Sequence, residues 1–224
     1  MTKLIIAIVL TLTSAFANAQ LAQLKGSGKT ITKTYNCQNF NKINFDDLDG
    51  KLEVEVGKPF NIAITIDDNL EKFLSVIENS EEKQLTIALK GNRNNKMYIE
   101  DTKIKIKITL PFLMEVTNNG NSGLTVNNIN AKNFKSVNPV NGSTTLSGVV
   151  DNLEISCNGN GNLLSEKLIA KNAKVICRGN GLATVNVSTV LTGTVSGNGN
   201  IINKGKAVFD ANSKKSGNGN LLVN

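Results

Sequence analysis

A short cluster of glycine and asparagine recurs about every 20 residues along the C-terminal half of this chain. The first glycines of successive clusters are 22, 17, 20, 18 and 20 residues apart, at Gly120, Gly142, Gly159, Gly179, Gly197 and Gly217. Internal repeats of this length are typical of solenoid proteins, in which each repeat packs on its neighbours. Helical and leucine-rich repeats fit badly because no unit holds the helix that they need, and a propeller blade needs about 40 residues.

Apolar and polar residues alternate between the clusters, which is the pattern of a half-buried β-strand. The apolar positions of two successive units have the same offsets: Leu153, Ile155 and Cys157, then Ala173, Val175 and Cys177. The position two residues before the glycine is predicted to form one core column of Val140, Cys157, Cys177 and Val195. We therefore predict an all-β protein in which residues 111–224 form a parallel β-solenoid, or β-helix, with repeats stacked about 4.8 Å apart.

Glycine and asparagine have a specific physical use at such clusters. Asparagine is unusually frequent, at 34 of the 224 residues. Both residues tolerate the left-handed backbone that sharp turns need. Asparagine side chains in equivalent positions of stacked repeats can also hydrogen-bond to one another as a ladder. The turn-flanking residues are therefore our candidate ligand-binding residues along one edge of the solenoid: Asn158, Asn160, Arg178, Asn180, Asn198 and Asn218.

Residues 20–110 form a β-rich N-terminal section without these repeats. In residues 51–66, apolar and polar side chains alternate on either side of Gly57-Lys58-Pro59, which predicts a β-hairpin. Asp68-Asn69 predicts the start of a short helix that runs from Leu70 to about Ile77.

The first 19 residues have the pattern of a secretory signal peptide. Lys3 supplies a positive start, residues 4–16 are almost wholly apolar, and Ala17-Asn18-Ala19 is a small-x-small cleavage site. This apolar stretch is too short to span a bilayer, and no later run reaches 18 apolar residues. We therefore predict an exported protein with no membrane span.

The chain resembles the head-GIN-domain family of autotransporter adhesins. The resemblance lies in export, in Gly26-Ser27-Gly28-Lys29 before a β-rich half, in Phe40-Asn41-Lys42-Ile43, in residues 51–70 and in the repeated Gly-x-Gly clusters. It covers roughly residues 25–224, although members more often carry Ser-Gly-Gly-Ser where this chain has Asn-Gly-Asn-Gly. The resemblance implies a right-handed β-solenoid in the periplasm or at the surface of a Gram-negative, Bacteroidetes-type bacterium, and it implies no catalytic residue.

The sequence lacks the residues on which many hydrolytic sites depend. It has no histidine, so a Ser-His-Asp or Cys-His site is excluded and the commonest metal ligand is absent. The five acidic residues of the second half are scattered, whereas a glycosidase needs two neighbouring carboxylates. Residues 26–30 lack the first glycine of a P-loop, and the Gly-x-Gly clusters lack the third glycine of a dinucleotide fingerprint. We therefore predict no catalytic residue, no metal and no cofactor.

The three cysteines leave two arrangements open. Cys157 and Cys177 occupy equivalent positions in successive repeats, which would bring them within the range of a disulfide. As inward residues they could instead be small buried hydrophobes. We favour two reduced core thiols, with Cys37 packed in the first half.

Charge and repeats together favour a binding protein. Residues 111–224 carry ten basic and five acidic residues, and export with few aromatic residues favours an acidic envelope polymer over nucleic acid. We predict a non-catalytic binding or adhesion module of the cell envelope that contacts a glycan or a protein partner. Two alternatives stay open: a carbohydrate-active enzyme on a β-helix, and a structural envelope protein that associates with itself.

Overall fold

The computed structural model describes residues 22–90 and 97–224. The predicted signal peptide, residues 1–19, lies outside the described residues. Within these ranges the chain is all-β, as predicted, and no helix is long and apolar enough to cross a bilayer. The elements are β1 Ala22–Lys25, β2 Thr30–Tyr35, β3 Lys42–Asp46, β4 Gly50–Val56, β5 Asn61–Asp67, a 3-10 helix Asp68–Phe73, β6 Leu74–Asn79, β7 Gln84–Leu89, β8 Met97–Glu100, β9 Ile104–Leu110, β10 Glu115–Asn119, β11 Gly123–Asn138, β12 Ser143–Cys157, β13 Leu163–Cys177, β14 Leu182–Gly197, β15 Asn200–Asn203, β16 Lys214–Gly217 and β17 Leu221–Val223.

The repeats of the C-terminal half form a stack of parallel strands. β11 pairs with β12, β12 with β13 and β13 with β14, and each pairing joins residues 17 to 20 apart. The stack continues from β14 to β15 and β16, and from β15 to β17. The parallel pairing of residues about 20 apart that the glycine spacing predicts is therefore confirmed.

The same sheet continues into the N-terminal section. β10 pairs in parallel with both β11 and β3, and β4 pairs in parallel with β11. β7 lies beside β3, and the antiparallel strand β6 follows at the edge. One core of buried apolar side chains runs through both halves, from Phe40 to Ala207.

The predicted hairpin at residues 51–66 is wrong. β4 and β5 form as expected, but β9 lies between them, parallel to β4 and antiparallel to β5. Alternation identifies each strand and its buried face, but it does not identify the neighbour that a strand pairs with. The loop at Gly57-Lys58-Pro59 therefore crosses the width of one inserted strand.

The predicted helix after Asp68-Asn69 is shorter than expected. It is a 3-10 helix that ends at Phe73, and Leu74–Asn79 forms β6, antiparallel to β7. Leu70 is buried as predicted, but the Ile77 side chain is 53% exposed, so the two residues do not share a face. The β-branched residues Val76 and Ile77 favour a strand over a helix.

Most of the cluster glycines have a different physical cause from the predicted one. Of the cluster glycines, only Gly197 and Gly217 have a positive φ. At Gly159, Gly161, Gly179 and Gly181 a Cβ atom would lie 1.9–2.1 Å from a backbone carbonyl oxygen of the preceding repeat. These glycines are therefore required by the close approach of stacked turns and not by left-handed backbone.

One core column differs in its first member from the prediction. Cys157, Cys177 and Val195 are in register and buried, as expected. The partner of Cys157 in the preceding repeat is Asn138 instead of Val140. The spacing from Gly142 to Gly159 is the shortest, at 17 residues, so counting two residues back from Gly142 stops two residues short of the register partner. The buried Asn138 amide donates to Gly142 O at 2.9 Å and accepts from Thr144 Oγ1 at 2.7 Å.

The three thiols are free, as we predicted. Cys157 and Cys177 are partners in adjacent strands, and each is 1% exposed. A hydrogen bond with the Cys177 thiol, together with burial, raises the pKa of Cys157 well above its ordinary value. Cys37 is half-buried, and burial is the main cause that raises its pKa, with a smaller contribution from Glu78.

We expect iodoacetamide to separate these thiols by burial. Cys37 should be alkylated first in the native protein, because attack requires a thiolate that the reagent can reach. Cys157 and Cys177 should react on the order of 100-fold more slowly, since they must wait for the stacked strands to open. Mass spectrometry of peptides over time measures the three rates. A Cys157–Cys177 disulfide in protein isolated without reductant would contradict the free-thiol assignment but not the stacking.

A candidate binding face between two asparagine ladders

One ladder of exposed asparagines follows the turns of the stacked repeats. Each side-chain amide donates to the Oδ1 atom of the preceding rung, at distances of 2.9, 2.7, 2.8 and 3.1 Å. We call this set the turn ladder: Asn141, Asn160, Asn180, Asn198 and Asn218. An inner rung uses one N–H and one lone pair within the ladder, so one N–H and one lone pair stay available to a ligand.

Four of the six predicted site residues belong to the turn ladder, namely Asn160, Asn180, Asn198 and Asn218. Asn158 and Arg178 are not rungs. They follow the paired residues Cys157 and Cys177, and both are exposed. The structure therefore places the predicted residues in two neighbouring columns. The sequence prediction omitted Asn141, although its position directly before Gly142 matches Asn160 before Gly161.

A second ladder lies at the other end of the same strand segments. Asn152 donates to Asn133 Oδ1 at 2.9 Å, and Asn172 donates to Asn152 Oδ1 at 3.0 Å. We call these three residues the corner ladder. The sequence prediction missed it, although Asn152 and Asn172 each stand seven residues before the first glycine of a cluster.

A column of alternating charge lies between the two ladders. In register across neighbouring strands it consists of Lys42, Glu115, Lys135, Glu154 and Lys174. Lys135 Nζ lies 3.1 Å from Glu115 Oε1, the one ion pair of this column within the described part of the chain. Opposite charges on adjacent strands stabilise the sheet modestly. Lys42, Glu154 and Lys174 keep charge that a partner can use.

A groove of about 520 Å³ opens beside the corner ladder and the charged column. Its floor includes Phe134, Leu153 and Ala173, which are partners in three successive strands and decrease in size along the stack. The half-exposed Met114 lines one end. The groove therefore combines an apolar floor with polar walls, as ligand sites usually do.

The ladders and the column form one surface, which we call the ladder face. Glu154 and Ser156 point outward between the buried Leu153, Ile155 and Cys157. Asn158 follows Glu154 by four residues, a distance of about 13 Å along an extended strand. The charged column and Arg178 together place four basic residues against two acidic ones on this surface, a net charge of +2.

The acidic residues of this region are held apart by lysines. Lys135 stands between Glu115 and Glu154 in the register and pairs with Glu115. Asp151 is 2.6 Å from Lys171 Nζ, on an exposed surface. Residues 22–90 and 97–224 contain no group of three or more cysteine or acidic side chains placed to hold a metal ion. The arrangement offers hydrogen bonds and charge for binding.

The chain has similar proteins of known fold. Residues 39–207 match the family described as "Putative auto-transporter adhesin, head GIN domain". A putative adhesin from Bacteroides fragilis is 21% identical with a TM-score of 0.68, and the match covers 89% of this chain and 99% of that chain. A putative lipid binding protein from Parabacteroides distasonis is 18% identical with a TM-score of 0.55, and the match covers 90% and 99%. No curated protein matches the chain.

Proposed function

This chain belongs to the head GIN domain family of auto-transporter adhesins, and we propose from that premise that it is an exported, non-catalytic adhesion module. Its binding surface is the ladder face, and its partner is an extended polymer of the cell envelope, a glycan in the first instance. The site of action is the periplasm or the outer surface of a Gram-negative cell. The observation that carries the proposal is the pair of exposed asparagine ladders flanking a column of alternating charge.

An extended partner suits the ladder face better than a compact one. The rungs repeat at the separation of adjacent strands, about 4.8 Å, so the same donor and acceptor recur along the stack. A polymer with hydroxyl or carboxylate groups at a similar repeat can contact several rungs at once. Each contact is weak because it is exposed to water, but several contacts on one chain add through effective concentration.

A right-handed parallel β-solenoid is part of this proposal. The register of 17 to 20 residues and the stacked glycine turns support it. In such a fold each further repeat can add one rung to the turn ladder, so the number of repeats sets the length of polymer that the face can contact.

Removal of ladder-face side chains should weaken polymer binding. We expect Asn160→Ala/Arg178→Ala/Asn180→Ala to lower the affinity for polygalacturonate, an acidic polysaccharide, at least about tenfold, and Arg178→Ala alone by about fivefold or less because the contact is exposed. Binding of the unmodified protein should also weaken between about 0.05 and 0.5 M salt. An array of acidic and neutral polysaccharides, followed by calorimetry, measures these effects.

The matched control removes the same chemical groups elsewhere. Asn39→Ala/Asn61→Ala/Lys90→Ala also deletes two exposed amides and one exposed cation, and it should bind like the unmodified protein. Salt-independent binding that is unchanged in the ladder triple variant would exclude this face. Turnover of a polysaccharide that is lost in Glu115→Gln or Glu154→Gln would instead favour the carbohydrate-active enzyme.

A further inference from the structure

Three exposed lysines line a cavity of about 460 Å³ that is formed by residues of the N-terminal section. Lys51 comes from β4, Lys105 from β9 and Lys103 from the segment just before β9. The hydroxyl-bearing residues Thr30, Thr65 and Thr102 also line the cavity. The cavity lining therefore contains cations and hydroxyl groups but no carboxylate.

The two strands bring like charges together at this point. Lys51 and Lys105 are direct partners in the parallel pairing of β4 and β9. The next outward pair on the same strands is Glu53 and Lys107, whose charged atoms lie 3.3 Å apart. Opposite charges stabilise such a cross-strand pair and like charges destabilise it. Repulsion between Lys51 and Lys105 therefore lowers the stability of the sheet, and the pairing of β4 with β9 does not require lysine at either position.

These three lysines form no ion pair within the part of the chain that the structure describes. None of the three ammonium groups is within ion-pair distance of an acidic side chain there, and Lys103 Nζ donates to Gly28 O at 3.1 Å. Asp67 lies nearby, but its oxygens accept from the backbone N–H groups of Gly28 and Lys103 at 2.8 and 2.6 Å. The lysine ammonium groups thus keep donors free for an anion.

We propose that this cavity binds the sulfate or phosphate group of an anionic glycan. A tetrahedral oxyanion offers acceptor oxygens in several directions, which suits three lysines that come from two neighbouring backbone segments. Lysine binds phosphate as a compact point charge with three rotatable donors, without the fixed fork by which arginine binds carboxylates and phosphates. The cavity is larger than one oxyanion, so the sugar that carries the group also fits. The site is separate from the ladder face and does not depend on it.

Titration with defined anions tests the site. The probes are inorganic sulfate, inorganic phosphate, dextran sulfate and neutral dextran, each at constant ionic strength with chloride as the reference. We expect both inorganic anions or one of them to shift backbone amide signals of residues 50–51 and 102–105 in NMR spectra. We also expect dextran sulfate to bind and neutral dextran not to bind. The inorganic anion that binds more tightly shows whether the natural group is a sulfate or a phosphate.

Two variants that lose the same charge distinguish binding in the cavity from general attraction between a basic protein and an anionic polymer. Lys51→Gln/Lys105→Gln should weaken dextran sulfate binding at least about tenfold. Lys204→Gln/Lys206→Gln removes the same charge from exposed positions near the C-terminus and should change the affinity less than about twofold. Equal losses in both variants, or signal shifts that avoid the cavity, would overturn the proposal. The ladder triple variant should bind dextran sulfate at this site unchanged, so the two binding proposals fail independently.

Discussion

Gly161→Ala should be among the most destabilising single changes in this chain, at about 3–5 kcal/mol. A Cβ atom at this position would lie 1.9 Å from Gly142 O and 2.6 Å from Asn141 O. Both obstacles are backbone atoms, so no side chain can rotate away to make room. Relief requires the turn of one repeat to move off the next. The turn ladder should then lose its Asn141–Asn160 hydrogen bond as well.

The measurement is thermal and denaturant unfolding against a control from the same repeat region. A loss of this size lowers the melting temperature by about 10 °C in a domain of this length. Gly123→Ala provides the control, because an added Cβ there meets no atom within 4 Å. Its free energy of unfolding should change by less than about 0.5 kcal/mol. Similar stability of the two variants would show that the turns are not stacked as closely as described.

The β-strands and their spacing could be predicted from the sequence because burial leaves a regular pattern. Inward positions such as Ile155 and Val175 must be apolar, and they recur with each repeat. The pairing of strands in the N-terminal section could not be predicted in the same way. Apolar and polar residues alternate in both β4 and β5, and nothing in either sequence shows that β9 is inserted between them. Sequence neighbours often pair, but long-range pairing depends on the whole core.

The sequence predicted only the part of the candidate site that recurs with each repeat. The turn ladder was predictable because Asn160, Asn180 and Asn198 stand beside glycines that mark the register. The charged column was not, because Lys42 and Glu115 come from strands outside the regular repeats. The Lys51–Lys105 pair also joins residues 54 positions apart in a register that only the folded sheet defines. Periodicity therefore revealed what each repeat contributes, but not where the N-terminal strands join the stack.

A second large effect on stability is expected at Asp67, whose side chain holds the segment before β2 against the sheet. The residue is fully buried, and its two oxygens accept from Gly28 N at 2.8 Å and Lys103 N at 2.6 Å. The neighbouring Gly26 is packed so closely that an added Cβ would lie 2.8 Å from the Asp67 carboxyl carbon. This carboxylate thus joins the segment before β2 to the segment before β9, which carries one lysine of the proposed oxyanion site.

Asp67→Asn should therefore destabilise the protein by about 3 kcal/mol although it changes shape very little. The amide has one acceptor oxygen, so its NH₂ group must face one of the two backbone N–H donors, and that donor loses its partner. The control is Asp68→Asn, the adjacent carboxylate, which is about one-third exposed and contacts Ser27 Oγ at 2.7 Å. Asp68→Asn should lower the free energy of unfolding by less than about 1 kcal/mol. Denaturant unfolding measures both variants, and in Asp67→Asn only, hydrogen exchange should be faster at the Gly28 or the Lys103 amide, whichever loses its acceptor. Equal stability of the two variants would mean that the Asp67 carboxylate does not hold these segments together.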